Sequence, residues 1–288
     1  MPHASAAPPG TRLAFRAAFG LFLAVIVFSV AGSLLLNAAP AAASAALGWI
    51  HAHTGLTMNE LIEGSTWTYM ALLPLLTFLL YLPQLGPRRS LLFLAWGSAV
   101  GAAAELVGTQ TGVPFGAYAY GDLLGPKILG HVPWLIPPSW YAMSVVAYDL
   151  ARRLTRGAWR VVLAGAGLMV LWDVALDPAM STAFPFWRFE ADGVYFGMPL
   201  ANWAGWFLTS AVIVWGYDRL LGGLRAAAPG ATALYAANVL FPVCICLAYG
   251  VAWAGVVGLA ALAVPLALLR LRRAEEPRGA GRREAVAA

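Results

Sequence analysis

The chain has 288 residues, of which 61% are hydrophobic and only 11% charged. A water-soluble domain carries about a quarter of its residues as charged types, so too few charges are present here to cover a water-facing surface, and a soluble globular architecture is excluded. The net charge of +5 does not mark a nucleic-acid partner, because the basic residues fall in short clusters between apolar runs. That is a topology pattern rather than a phosphate-binding face.

Residues 1–12, rich in Ala and Pro, read as a disordered lead. Residues 13–269 read as one membrane-embedded domain, and residues 270–288 as a basic cytoplasmic tail without fixed structure. A membrane helix needs about 20 apolar residues to cross roughly 30 Å of hydrocarbon. Candidate spans fall near 13–36, 66–83, 90–109, 138–154, 158–177, 203–221, 231–248 and 250–269, with Tyr249 and Gly250 as the turn between the last two. The run 13–36 exceeds a signal-peptide core, so it counts as a span. With the N-terminus inside, every one of the 18 Lys and Arg residues except Lys127 and Arg188 falls in a cytoplasmic segment. The expected architecture is therefore all-α and polytopic, with about eight transmembrane helices and both termini cytoplasmic, in the inner membrane.

Gly97-x-x-x-Gly101, followed by Ala104 and Gly108, gives the third span a small-residue face for close helix packing. Pro242 and Pro265 are expected to kink their helices. Cys244 and Cys246 have no partner pair and read as apolar packing residues. His51-Ala-His53 offers two metal ligands without a third, and reads as part of a loop or an interfacial helix. There is no P-loop and no strand-linked GxGxxG, and no cofactor or metal is expected.

Acidic residues inside a membrane are costly and face a cavity or a partner. Glu105 closes the third span, and Asp173 and Asp177 close the fifth. All three sit at helix C-termini, where a carboxylate opposes the helix dipole, so capping does not explain them. Asp173 and Asp177 are four residues apart and share a helix face. Two carboxyls that close in an apolar site do not both ionise, and the one that keeps its proton is a candidate general acid. The competing structural reading pairs these acids with Lys127, with Arg188 or with each other, merely to hold the bundle.

Two connecting segments are unusual. Residues 108–138, GTQTGVPFGAYAYGDLLGPKILGHVPWLIPP, are too rich in Gly and Pro for a span and too aromatic for a solvated loop. Residues 178–206 likewise carry Phe184, Phe186, Trp187, Tyr195, Phe196, Trp203 and Trp206. An aromatic belt at the membrane interface is one reading; the favoured one is that both segments fold over the outer helix ends and cap an apolar pocket. Glu63 precedes the second span on the same side, either as surface charge or as a group behind the site.

The segment 105–138 resembles the integral-membrane carotenoid end-group hydratases. So does a second block, WDVALDPAM at 172–180 followed by the aromatic loop and YFGMPLANWAGWF at 195–207. Trp203 stands where the family has a phenylalanine, and the resemblance covers roughly residues 60–220. It implies cofactor-independent hydro-lyase chemistry: water added across the terminal C1'=C2' double bond of an acyclic carotenoid, of lycopene, γ-carotene or longer bacterioruberin-precursor type. The product would carry a tertiary hydroxyl.

On that reading Asp177 or Asp173 donates the proton and Glu105 orients or deprotonates the water, with the roles open to exchange. Tyr118, Tyr120, Trp203 and Trp206 would stabilise the cation through their ring faces. Asp122 and Asn202 would hold the water, or else make only local turn hydrogen bonds. The partners implied are a lipid-soluble carotenoid, membrane lipid and other enzymes of the same pathway. A carotenoid or lipid carrier without chemistry is the competing class.

Overall fold

The computed structural model describes residues 9–190 and 193–287, with side chains described as far as Arg272. The lead over residues 1–8 and the side chains of the tail beyond Arg272 lie outside the described residues. The described residues form eight helices: α1 (Pro9–Ala38), α2 (Pro40–Thr54), α3 (Met58–Thr111), α4 (Ile136–Leu154), α5 (Ala158–Pro178), α6 (Leu200–Arg219), α7 (Ala231–Ala248) and α8 (Ala252–Ala287). A π turn, Ala179–Ala183, prolongs α5. Four short strands, β1 (Tyr118–Tyr120), β2 (Lys127–Ile128), β3 (Val132–Pro133) and β4 (Trp187–Phe189), lie in the two aromatic segments.

Among the described residues five helices, rather than the eight expected, are long and apolar enough to cross a membrane: α1, α3, α5 with its π turn, α7, and α8 as far as Arg272. The difference has three physical sources. The expected spans 66–83 and 90–109 are the two halves of α3, joined across a kink at Gly86, where φ of 71° and ψ of 167° leave the helical region, and they enter the five as one element. The expected span 138–154 is α4, which carries Asp149, Arg152 and Arg153 and buries 14 of its 19 residues against other helices. Its apolar residues are therefore solvated by protein, not lipid. The expected span 203–221 lies in α6, which carries Asn202, Asp218 and Arg219.

The arginine distribution was interpreted over eight crossings, so it does not place both termini on one side of a five-span protein. The protein is nevertheless multi-pass. α8 runs as helix to Ala287.

α4 is the hub, packed along α3 and flanked by α5, α6, α7 and α8. The close approach of α3 and α4 follows from the glycines of α3. A side-chain carbon added at Gly101 would sit 2.6 Å from the Trp140 ring, and one at Gly97 would come 2.7 Å from the Tyr141 backbone. Gly97, Gly101, Glu105 and Gly108 are buried together on this face, so the stripe that admits α4 also carries an acid.

At the other end of α4 a buried ion pair fixes the connection from α6 to α7. Arg153 Nε meets Asp149 Oδ1 at 3.0 Å, while Tyr81 Oη and the Ala228 amide donate to Asp149 Oδ2 at 2.9 and 2.8 Å. Arg153 also donates to the Ala228 carbonyl at 2.7 Å and to Thr232 Oγ1 at 3.2 Å. Each charged group therefore has several partners, the condition under which a buried pair is tolerated.

Candidate active site

β1 and β4 come from the two aromatic segments and pair antiparallel, with Tyr118 opposite Phe189 and Tyr120 opposite Trp187. Side chains alternate along a strand, so Tyr118 and Tyr120 point to one face, inward, while Ala119 and Arg188 face outward and are exposed. The pair forms a two-stranded lid over the ends of α3, α5 and α6.

Beneath it, Glu105 is buried and accepts three hydrogen bonds. Tyr118 Oη and Tyr120 Oη both donate to its Oε2, the latter at 2.8 Å, and Trp140 Nε1 donates to its Oε1 at 2.8 Å. Burial foremost, and then the Glu105 carboxyl, push both phenols well above their ordinary range. Their hydroxyls therefore remain protonated donors.

Asp173 and Asp177, one turn apart on α5, are also buried. Asn202, in the first turn of α6, bridges them with one amide nitrogen, 3.1 Å from Asp173 Oδ2 and hydrogen-bonded to Asp177 Oδ2. The same nitrogen lies 3.0 Å from Met198 Sδ. Trp187 Nε1 donates to Asp177 Oδ1 at 3.0 Å, whereas Asp173 Oδ1 is buried without a hydrogen bond. Among the described residues neither acid forms an ion pair: Lys127 pairs with Asp122 at 3.0 Å, and Arg188 is exposed. A bundle-stapling role through those two cations is therefore absent.

Glu105 and Asp177 open onto one cavity of about 400 Å³. Tyr118, Tyr120, Asn202 and Trp206 share its wall, and so do Trp140, Trp172 and Trp187. Trp140 and Trp206 lie with ring centroids 4.4 Å apart, and Trp172 meets Trp206 edge-on at 5.6 Å. Three helices thus contribute one tryptophan each to an aromatic box beside the carboxyls. Asp173 stands behind Asp177 rather than on the wall.

The remaining candidates lie off the cavity wall. Asp122 is fully exposed, Glu63 is exposed on α3, and Trp203 stands beside Asp173, behind the wall, with its ring packed on Tyr195 at a centroid distance of 4.9 Å. His51 and His53 are exposed on α2, their Nδ1 atoms bonded to the Leu56 and Trp49 carbonyls. Sequence reasoning missed Trp140 and Trp187 as carboxyl partners. Trp187 was visible as part of the aromatic segment, but nothing in the spacing ties either indole to a particular acid.

The carotenoid biosynthesis protein family matches residues 65–265 of this chain, a stretch that contains every carboxyl and aromatic group of the site just described. The chain belongs to that family. Another similar protein is the bisanhydrobacterioruberin hydratase of Haloarcula japonica, 37% identical over 163 residues, which are 52% of this chain and 54% of that protein. The match thus spans about half the length of the curated relative. No solved structure matches this chain.

Proposed function

We propose that this chain hydrates an acyclic carotenoid end, adding water across the terminal C1'=C2' double bond to leave a tertiary hydroxyl. The observation that carries the reading is the placement of two separate carboxyl clusters, neither with a cation, on one apolar aromatic cavity. Two carboxyls sharing one amide in such a place cannot both hold charge, so the Asp173–Asp177 pair retains a proton. Asp177 faces the cavity and delivers it.

The proton goes to the alkene carbon that leaves a tertiary cation at its neighbour. The faces of Trp140, Trp172 and Trp206 stabilise that cation, an effect of about 2 kcal/mol or more where water is excluded. Glu105, held by three donors, is the carboxylate that orients the water and takes its proton as the C–O bond forms. Return of that proton to the aspartate pair completes a cycle with no net change in the protein. The tyrosines enclose the site and fix Glu105.

The resemblance in sequence to a protein named for carotenoid hydration supports the substrate class. The test is expression in cells that accumulate lycopene or γ-carotene, with the pigments analysed by mass spectrometry. A product heavier by one water is expected. Pigment bound by the protein and returned unchanged would favour the carrier reading instead.

A further inference from the structure

The cavity wall has two parts of different origin. One, with Glu105, Asp177 and the tryptophans, is built within the family-matched residues 65–265. The other, an apolar arm, comes from α1, α2 and the start of α3, largely from residues 28–62, which precede that match. On α2 the lining residues are Ala43, Ala46, Leu47 and Ile50. Their spacing of i, i+3, i+4, i+7 is one helical face, and the reverse face carries Trp49 at 63% exposure. This arm contains a few hydroxyls but no charged group.

Size decides what the arm is for. A cavity of about 400 Å³ has the size of sites that enclose a drug-sized ligand. A C40 carotenoid is larger than that. One end group and a short stretch of polyene fit, and the remainder must leave the cavity. The part with the acids is closed by the β1–β4 lid, while the apolar arm is walled by α1, a span whose most apolar stretch is only 11% buried inside the protein.

We infer that the α1–α2 elbow is the tail arm of the site, holding the polyene next to the reacting end and passing the rest into lipid. This inference rests on the hydratase reading. It adds that substrate selection is split: the acids read the near end, a segment outside the family match reads the adjoining polyene, and the far end goes unread.

Gly32 of α1 lines the arm, and a side-chain carbon added there meets no atom within 4 Å. Gly32→Phe therefore fills open space instead of displacing a neighbour, and Ala46→Phe blocks the arm from α2. The protein in lipid nanodiscs is titrated with lycopene and followed by visible absorption. In parallel, hydration of lycopene is compared with that of myrcene, a short acyclic terpene bearing the same isopropylidene end. Both variants should weaken lycopene binding and raise the KM for lycopene by about tenfold or more, about 1.4 kcal/mol for each factor of ten, and the loss on myrcene should be much smaller.

Lycopene binding equal in variants and wild type, or no saturable binding by the wild type, overturns the arm whatever the chemistry does. Equal loss on both hydrocarbons also overturns it, since the damage would then lie at the acids or in the fold. Loss of binding in the variants of a protein that hydrates neither hydrocarbon upholds the arm and sinks the hydratase reading.

Discussion

Tyr120 and Trp187 face one another across the β1–β4 pair, their ring centroids 6.0 Å apart, and each donates a hydrogen bond to a different acid, Tyr120 to Glu105 and Trp187 to Asp177. Carboxyls on two separate helices are thereby set in place by one cross-strand pair. The placement of the two carboxyls on one cavity is a property of the lid as much as of the bundle.

Asp177→Asn keeps the size of the side chain and the acceptor for Trp187 but cannot give up a proton. Hydration should fall by roughly 10²–10⁴, the usual contribution of a positioned acid, with membrane expression unchanged. Turnover like wild type would remove Asp177 from the mechanism.

Tyr120→Phe and Trp187→Phe each delete one donor to a carboxyl. A hydrogen bond to a charged group contributes about 1.5–3 kcal/mol and one to a neutral group about 0.5–1.5 kcal/mol, so Tyr120→Phe should slow hydration by about ten- to a hundredfold and Trp187→Phe by about two- to tenfold. Because the two rings touch, the double variant should lose less than the product of the single losses. Strict multiplicativity would show that the lid does not couple the two acids.

Gly101→Ala tests the helix packing behind Glu105. The added carbon would sit 2.6 Å from the Trp140 ring, and the indole that donates to Glu105 must move. Overpacking of this kind costs about 1–3 kcal/mol, so both the thermal midpoint in detergent and the hydration rate should drop. Gly64, with nothing within 4 Å of an added carbon, is the matched control and should tolerate alanine.

Arg153→Met leaves Asp149 buried without its ion-pair partner. Breaking such a pair from one side costs about 3–5 kcal/mol, and thermal unfolding should register it. The specific activity of the protein that remains folded should match wild type, since this cluster lies at the other end of α4 from Trp140, a separation of roughly 14 Å at the rise of an α-helix.

Asp122→Ala and Glu63→Gln change exposed side chains off the cavity wall. Substitutions of that kind stay within about 0.5 kcal/mol, so hydration should remain within about twofold of wild type. A larger loss from Asp122→Ala would return it to the site as a water-holding group.

The acids were legible in the sequence because burying charge is costly: Asp173 and Asp177 at helical spacing in an apolar run, and Glu105 beside a glycine stripe, are hard to explain in any other way. Asn202 and Trp206, four residues apart at the start of α6, were legible as polar and aromatic groups near those acids. The number of membrane helices was not, since hydropathy cannot tell lipid from protein as the apolar surroundings, and α4 is apolar because other helices enclose it. The break inside α3 was legible, since Pro83, Gly86 and Pro87 mark by composition the kink at which its two halves meet. The pairing of β1 with β4 leaves no trace in pattern, for strands of three residues are too short to show alternation and their partners are far apart in the chain.

That pairing also sets when the site comes into being. Two strands of three residues cannot hold together unaided, and these are recruited from segments separated by the whole of α4 and α5. The lid can close only after those helices have packed, so the Tyr120–Trp187 contact belongs to the last stage of assembly. A partly inserted or misassembled chain would carry all three acids and yet be inert, which makes turnover a direct report on completed membrane folding.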